Sequence, residues 1–116
     1  MKNTNILIIE DDESSRLFFE KILEKYKYNF VSVSNTEDIY NTIKENSIDM
    51  VLLDILITPI DGVTIAKYLR KHMPNIKIIM QTAHTFLKEK ENVELYDAFL
   101  EKPINSIELI RAIKSL

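Results

Sequence analysis

The chain has 116 residues, 46% hydrophobic and 28% charged, which is the balance of an ordinary globular domain long enough for one core. Its apolar runs stay far below the ~20 residues of a membrane helix, and the first five residues carry no signal-peptide pattern. The lack of cysteine excludes disulfides and thiolate metal sites, the net charge of −3 argues against direct nucleic-acid binding, and a single glycine, Gly62, excludes a glycine-rich phosphate cradle.

Residues 5–9 form a short aliphatic run that reads as a buried strand, ending at the acidic cluster Glu10, Asp11 and Asp12. Residues 13–26 read as a helix with Leu17, Phe18, Ile22 and Leu23 on one face. Residues 29–33 form a second strand. Asn35 or Thr36 is placed to cap a helix through Lys44, with Ile39, Tyr40 and Ile43 facing inward. Residues 49–53 form a third strand, ending at Asp54. Residues 61–71 form a helix closed by Pro74, and its basic end at Lys67, Arg70, Lys71 and His72 suits a helix carboxyl terminus. Residues 76–80 and 97–100 are the fourth and fifth strands. Between them, residues 84–95 hold few apolar anchors and alternate Lys and Glu at 88–91, so the helix expected there is short or weak. Residues 104–116 form the last helix, with Ile107, Ile110 and Ile113 at three-residue spacing.

Strands that alternate with helices imply a parallel sheet with helices on both faces. Ligands of such sheets bind outside the carboxyl ends of the strands, where the strand order reverses. Three signals fall at such ends: the Glu10-Asp11-Asp12 cluster, Asp54 and Lys102. Asp54 lies inside an apolar stretch, between Val51-Leu52-Leu53 and Ile55-Leu56-Ile57, and burying it without a partner is costly. Carboxylates that converge repel each other and are best satisfied by a hard divalent cation. Taken singly, each signal has a plainer reading: a helix cap, a surface lysine, a capped loop carboxylate. Their coincidence at one end of three strands points to a site.

These residues resemble the receiver domains of two-component response regulators over essentially the whole chain. The matching pieces are residues 6–12 with Arg16 downstream, residues 51–54, Asp61-Gly62, Gln81-Thr82-Ala83, and residues 99–103. The resemblance implies a flavodoxin-like, doubly wound α/β fold with five parallel strands in order 2-1-3-4-5, as one receiver domain over residues 1–116. It implies that Asp54 is the phosphoacceptor and that Mg2+ or Mn2+ is the cofactor. Asp11 corresponds to the direct metal ligand, Glu10 to the acid that reaches the metal through water, and Leu56 to the residue whose backbone carbonyl completes the protein ligands. Asp12 reads better as a helix-opening residue than as a ligand. Thr82 and Lys102 resemble the hydroxyl and the cation that stabilise the phosphoryl group. Phe99 resembles the aromatic switch partner of Thr82, with a plain core aromatic as the other reading. The Lys102–Pro103 peptide is a candidate cis bond, and Leu56 and His84 border the expected path of a hydrolytic water.

Implied partners are a histidine kinase or phosphotransfer protein and a downstream protein target, with no direct nucleic acid and no membrane. The expected state is a cytoplasmic monomer or weak homodimer, acting as a phosphoacceptor switch rather than an enzyme. Four features depart from the family pattern. Thr58 stands where a proline is usual, and 20 residues separate Thr82 from Lys102, about two fewer than in chemotaxis-type receivers. Glu94-Leu95-Tyr96 replaces a glycine-alanine pair, and apolar Leu56 and His84 stand two positions after the acceptor and after the switch threonine. Alternatives are a receiver segment of a hybrid histidine kinase or multidomain regulator, a phosphorylation-independent docking module, and a flavodoxin-like enzyme or nucleotide binder.

Overall fold

A computed structural model describes residues 4–54, 62–82 and 94–116, with only the backbone of Thr82. Its elements run β1 (Asn5–Ile9), α1 (Glu13–Lys25), β2 (Asn29–Val33), α2 (Ile39–Glu45), β3 (Met50–Asp54), α3 (Gly62–His72), β4 (Lys77–Thr82), β5 (Ala98–Glu101) and α4 (Ser106–Ser115). All strand pairs are parallel and the order is β2-β1-β3-β4-β5, so the expected doubly wound sheet is the observed one. The order reverses between β1 and β3, which pair with Ile9 opposite Leu53.

The pleat of the inner strands sorts their aliphatic residues between two cores. Leu7, Ile9, Val51, Leu53, Ile78 and Met80 face one way, against Ile39 and Ile43 of α2 and Ile65 and Leu69 of α3. Ile6, Ile8, Met50, Leu52, Ile79 and Leu100 face the other way, against Phe19, Ile22 and Leu23 of α1 and Leu109, Ile110 and Ile113 of α4. Each fully buried side chain of this kind contributes about 1.5–3 kcal/mol relative to an exposed one. Asp97 fixes the approach to β5: its Oδ2 accepts from the Ile78 amide at 2.8 Å and pairs with Arg70 of α3 at 3.1 Å. Among the described residues, no helix is long and apolar enough to cross a membrane.

Several helix faces differ from the expected ones, and the roughly 100° turn per residue explains each. In α1 the buried stripe is Phe19, Ile22 and Leu23. Leu17 points almost to the opposite side and Phe18 lies at the flank, leaving them 45% and 41% exposed. In α2, Ile39 and Ile43 make the inner stripe, while Tyr40 is exposed and holds Lys44 over its ring. In α4, three-residue spacing slips by about 60° per step, and Ile107, 62% exposed, rotates out of the stripe of Leu109, Ile110 and Ile113.

The ends also moved. The residue before α2 is Asp38, in the left-handed region at φ 58°, while Asn35 Oδ1 accepts from the Glu37 amide in the preceding turn. Neither Asn35 nor Thr36 therefore caps the helix. α4 begins two residues later than expected because Asn105 caps it, accepting from the Glu108 amide at 2.8 Å. β3 and β4 extend one and two residues further than expected, which makes Asp54 and Thr82 their last residues. The helix expected over residues 84–95 lies outside the described residues except for Glu94 and Leu95.

Candidate functional site

The same pleat that sorts the core assembles the site. Glu10 is two residues beyond Ile8, Asp54 two beyond Leu52, Gln81 two beyond Ile79, and Lys102 two beyond Leu100, and all four of those aliphatic residues face the α1/α4 core. Alternation along each strand therefore brings the four polar side chains to one face at the carboxyl edge of the sheet. The edge lies at the reversal point between β1 and β3, where open α/β sheets bind ligands.

Lys102 Nζ lies 2.8 Å from Asp54 Oδ2 and 3.7 Å from Glu10 Oε1. Both carboxylates are buried, at 5% exposure for Asp54 and 1% for Glu10. Glu10 Oε2 accepts from the Asp12 amide at 3.1 Å, and Oε1 accepts from Gln81 Nε2 at 3.3 Å. The Arg16 guanidinium donates to the Glu10 backbone carbonyl at 3.0 Å, tying the turn after β1 to α1.

Burial raises the Glu10 carboxyl from 4.5 to about 7, with the Asp54 and Asp11 charges adding and the Asp12 hydrogen bond and Lys102 opposing. For Lys102, burial favours the neutral amine, but the hydrogen bond to Asp54 and the charges of Asp54 and Glu10 outweigh it and raise its pKa. The ammonium is thus held charged between two acids, and supplies the positive charge that a pair of buried carboxylates requires.

Asp11 is exposed beside this group. Asp12 caps α1, its side chain accepting from the Ser15 amide at 2.8 Å, and that bond lowers its pKa. It is the helix-opening residue that the sequence suggested. The Lys102–Pro103 peptide is cis. Phe99 belongs to the other face of β5, where it packs on Tyr96 at 5.3 Å between ring centroids and against the α2/α3 core. Leu56, His84 and the Thr82 side chain lie outside the described residues.

Two contributors carried no role in the sequence reading: Gln81 and the Arg16 contact to Glu10. The signal for Gln81 was present, since two polar residues, Gln81 and Thr82, end the aliphatic run Ile78-Ile79-Met80. An open cleft of about 580 Å³ adjoins the site, lined by Ser15, Phe18, Gln81, Lys102 and Ile104 among others.

Among the described residues no three acidic or histidine side chains are gathered closely enough to hold a metal by themselves. The donor set still suits magnesium: it is all oxygen, and magnesium takes only one or two carboxylates and keeps several waters. Asp54 and Glu10 already share one ammonium, and Asp11 is close enough for its charge to act on Glu10.

Residues 6–114 match the family model described as the response regulator receiver domain. Among curated proteins, the transcriptional regulatory protein SrrA of Staphylococcus aureus is 30% identical over 118 residues, covering 98% of this chain and 48% of SrrA. The chain thus spans about half the length of the curated relatives it matches. Among solved structures, a putative response regulator from Chloroflexus aurantiacus is 28% identical with a TM-score of 0.87, covering 98% of this chain and 97% of that one. The response regulator TrrA from Thermotoga maritima, solved in complex with Mg(2+)-BeF, is 26% identical with a TM-score of 0.88, covering 97% of each chain.

Proposed function

Since the chain belongs to the response regulator receiver family, we propose that it accepts a phosphoryl group on Asp54 from a histidine kinase or phosphotransfer protein and thereby switches its binding to a downstream partner. The observation that carries this reading is the Lys102 ammonium set between the buried carboxylates of Asp54 and Glu10 at the strand-order reversal. A buried ion pair of this kind is a poor stabilising device, so its presence is better explained by chemistry.

In the proposed step, an Asp54 oxygen bonds to phosphorus as the bond from phosphorus to the donor atom breaks, and the donor leaves with that electron pair. Lys102, relieved of its partner oxygen, pairs with a phosphoryl oxygen, and the Thr82 hydroxyl takes another. Asp11, Asp54 and the backbone carbonyl of Leu56 would hold a magnesium ion directly, and Glu10 would reach it through water. Bound there, such an ion would neutralise charge on the phosphoryl oxygens. Manganese fits the same oxygen ligands. The chain is then a phosphoacceptor switch that assists its own phosphorylation rather than an enzyme turning over a substrate. Phe99 is the proposed aromatic partner of the Thr82 movement.

The chain's span of about half of SrrA favours a second form of the same reading, in which this receiver works within a longer regulator. DNA contact would then belong to the rest of that protein, and the acidic receiver itself would act in the cytoplasm as a monomer or weak homodimer. Intact mass after incubation with acetyl phosphate tests the core of the proposal. A phosphoryl adduct that needs magnesium and disappears in Asp54→Asn is expected. An adduct that persists in Asp54→Asn refutes the assignment.

A further inference from the structure

β4 is an inner strand, flanked by β3 and β5, and Ile78, Ile79 and Met80 within it are fully buried aliphatic residues. Gln81 is equally buried, at 0% exposure, in a position where an inner parallel strand ordinarily takes Val, Ile or Leu. Each buried polar atom left unpaired costs about 1–3 kcal/mol. Gln81 satisfies one end of its amide by donating from Nε2 to Glu10 Oε1 at 3.3 Å, yet its own Oε1 has no hydrogen-bond partner among the described residues. An apolar residue would avoid that cost, so the amide calls for a reason beyond packing.

We propose that Gln81 is a positioning residue of the phosphorylation site: its NH2 group holds the Glu10 carboxylate in place, and its unpaired carbonyl oxygen accepts a hydrogen bond from a water of the bound magnesium ion. The inference rests on the reading of Asp54 as a magnesium-dependent phosphoacceptor. Glu10 Oε1 accepts from Gln81 Nε2 at 3.3 Å and lies 3.7 Å from the Lys102 ammonium as an ion pair, while the Asp12 amide serves Oε2. When Lys102 turns to a phosphoryl oxygen, Gln81 is the donor that stays on Oε1. The register sets Gln81 directly opposite Asp54, so the amide sits between the acceptor strand and Lys102's strand, on the face they share. Magnesium gives up its waters reluctantly, and each such water needs acceptors for its protons. A neutral buried carbonyl provides one without adding a further negative charge to the site.

The test uses the full chain, with Gln81→Met as the apolar replacement of similar length. In a magnesium titration of isotope-labelled wild type without phosphoryl donor, the Gln81 side-chain NH2 resonances should shift with the same half-saturation as the backbone amides of residues 10–12. Gln81→Met should weaken magnesium binding about tenfold, the scale typical of outer-shell partners. In acetyl phosphate reactions its half-saturating magnesium should rise by the same factor, while the maximal rate falls by less than about twofold. A role confined to packing would lower stability and leave magnesium affinity alone, and wild-type affinity in a folded Gln81→Met protein overturns the proposal. So do Gln81 resonances that stay still while residues 10–12 respond, a measurement that decides the matter even if the variant does not fold. If wild type itself neither binds magnesium nor is phosphorylated, the reading of the whole site fails and takes this inference with it.

Discussion

Replacing Glu10 with glutamine should stabilise the metal-free protein at pH 8 and change it little at pH 4.5. The Glu10 carboxyl is 1% exposed and its pKa stands at about 7 in the folded chain against 4.5 as its ordinary value, chiefly because burial disfavours the carboxylate. A folded-state pKa above the unfolded one means that the folded protein binds the extra proton between pH 4.5 and about 7. The stability from this group is therefore fully present below pH 4.5 and is lost as pH rises through 7. Each tenfold difference in proton affinity between folded and unfolded chain is worth about 1.4 kcal/mol, so the loss at pH 8 is on the order of 3 kcal/mol. An amide at this position still accepts from the Asp12 N–H, and its NH2 can donate to the free Oε1 of Gln81 once that amide turns over. Glu10→Gln should accordingly exceed wild type by about 1–3 kcal/mol at pH 8 in EDTA, with the gap closing towards pH 4.5. Urea unfolding followed by circular dichroism at several pH values measures it. Magnesium should narrow the gap at pH 8, because wild type gains about 1.4 kcal/mol when the free ion is at ten times its dissociation constant. Equal stabilities at pH 8, or a gap that widens on acidification, would refute the reasoning.

The lifetime of the proposed phosphoryl group should depend on Leu56 and His84, which stand two residues after the proposed acceptor Asp54 and the proposed switch residue Thr82. Adduct decay followed by intact mass is expected to change severalfold in Leu56→Asn or His84→Ala, and unchanged decay in both removes that role. On α4, Ile107→Gln should alter stability by less than about 0.5 kcal/mol because the side chain is in water, whereas Ile110→Ala should cost about 2–5 kcal/mol. Similar losses from both substitutions in chemical denaturation would contradict the observed rotation of the helix.

Most of the architecture was legible along the chain. Aliphatic runs alternating with helical segments implied the parallel sheet, and acids at the carboxyl ends of β1 and β3 with a lysine after β5 implied a site at its carboxyl edge. These are local signals: a strand, a cap or a turn depends on residues a few positions apart. The side of each helix that meets the sheet was not legible in the same way. Leu17, Phe18, Tyr40 and Ile107 are as apolar as their buried neighbours, and only the rotation of each helix against the strands decides which are covered. The inner composition of the site also belongs to the tertiary structure. Glu10 and Gln81 are 71 residues apart, and their contact exists because β1, β3 and β4 pair in one register with their side chains on the same pleat face. A shift of one residue in any of these strands would send its polar side chain to the α2/α3 face and break the group. The sequence determined that acids and a lysine would meet at one edge of the sheet. Strand pairing decided that Glu10 is the deeply buried acid, raised to about 7 by that burial, that Gln81 donates to it and that the Lys102 ammonium lies beside it.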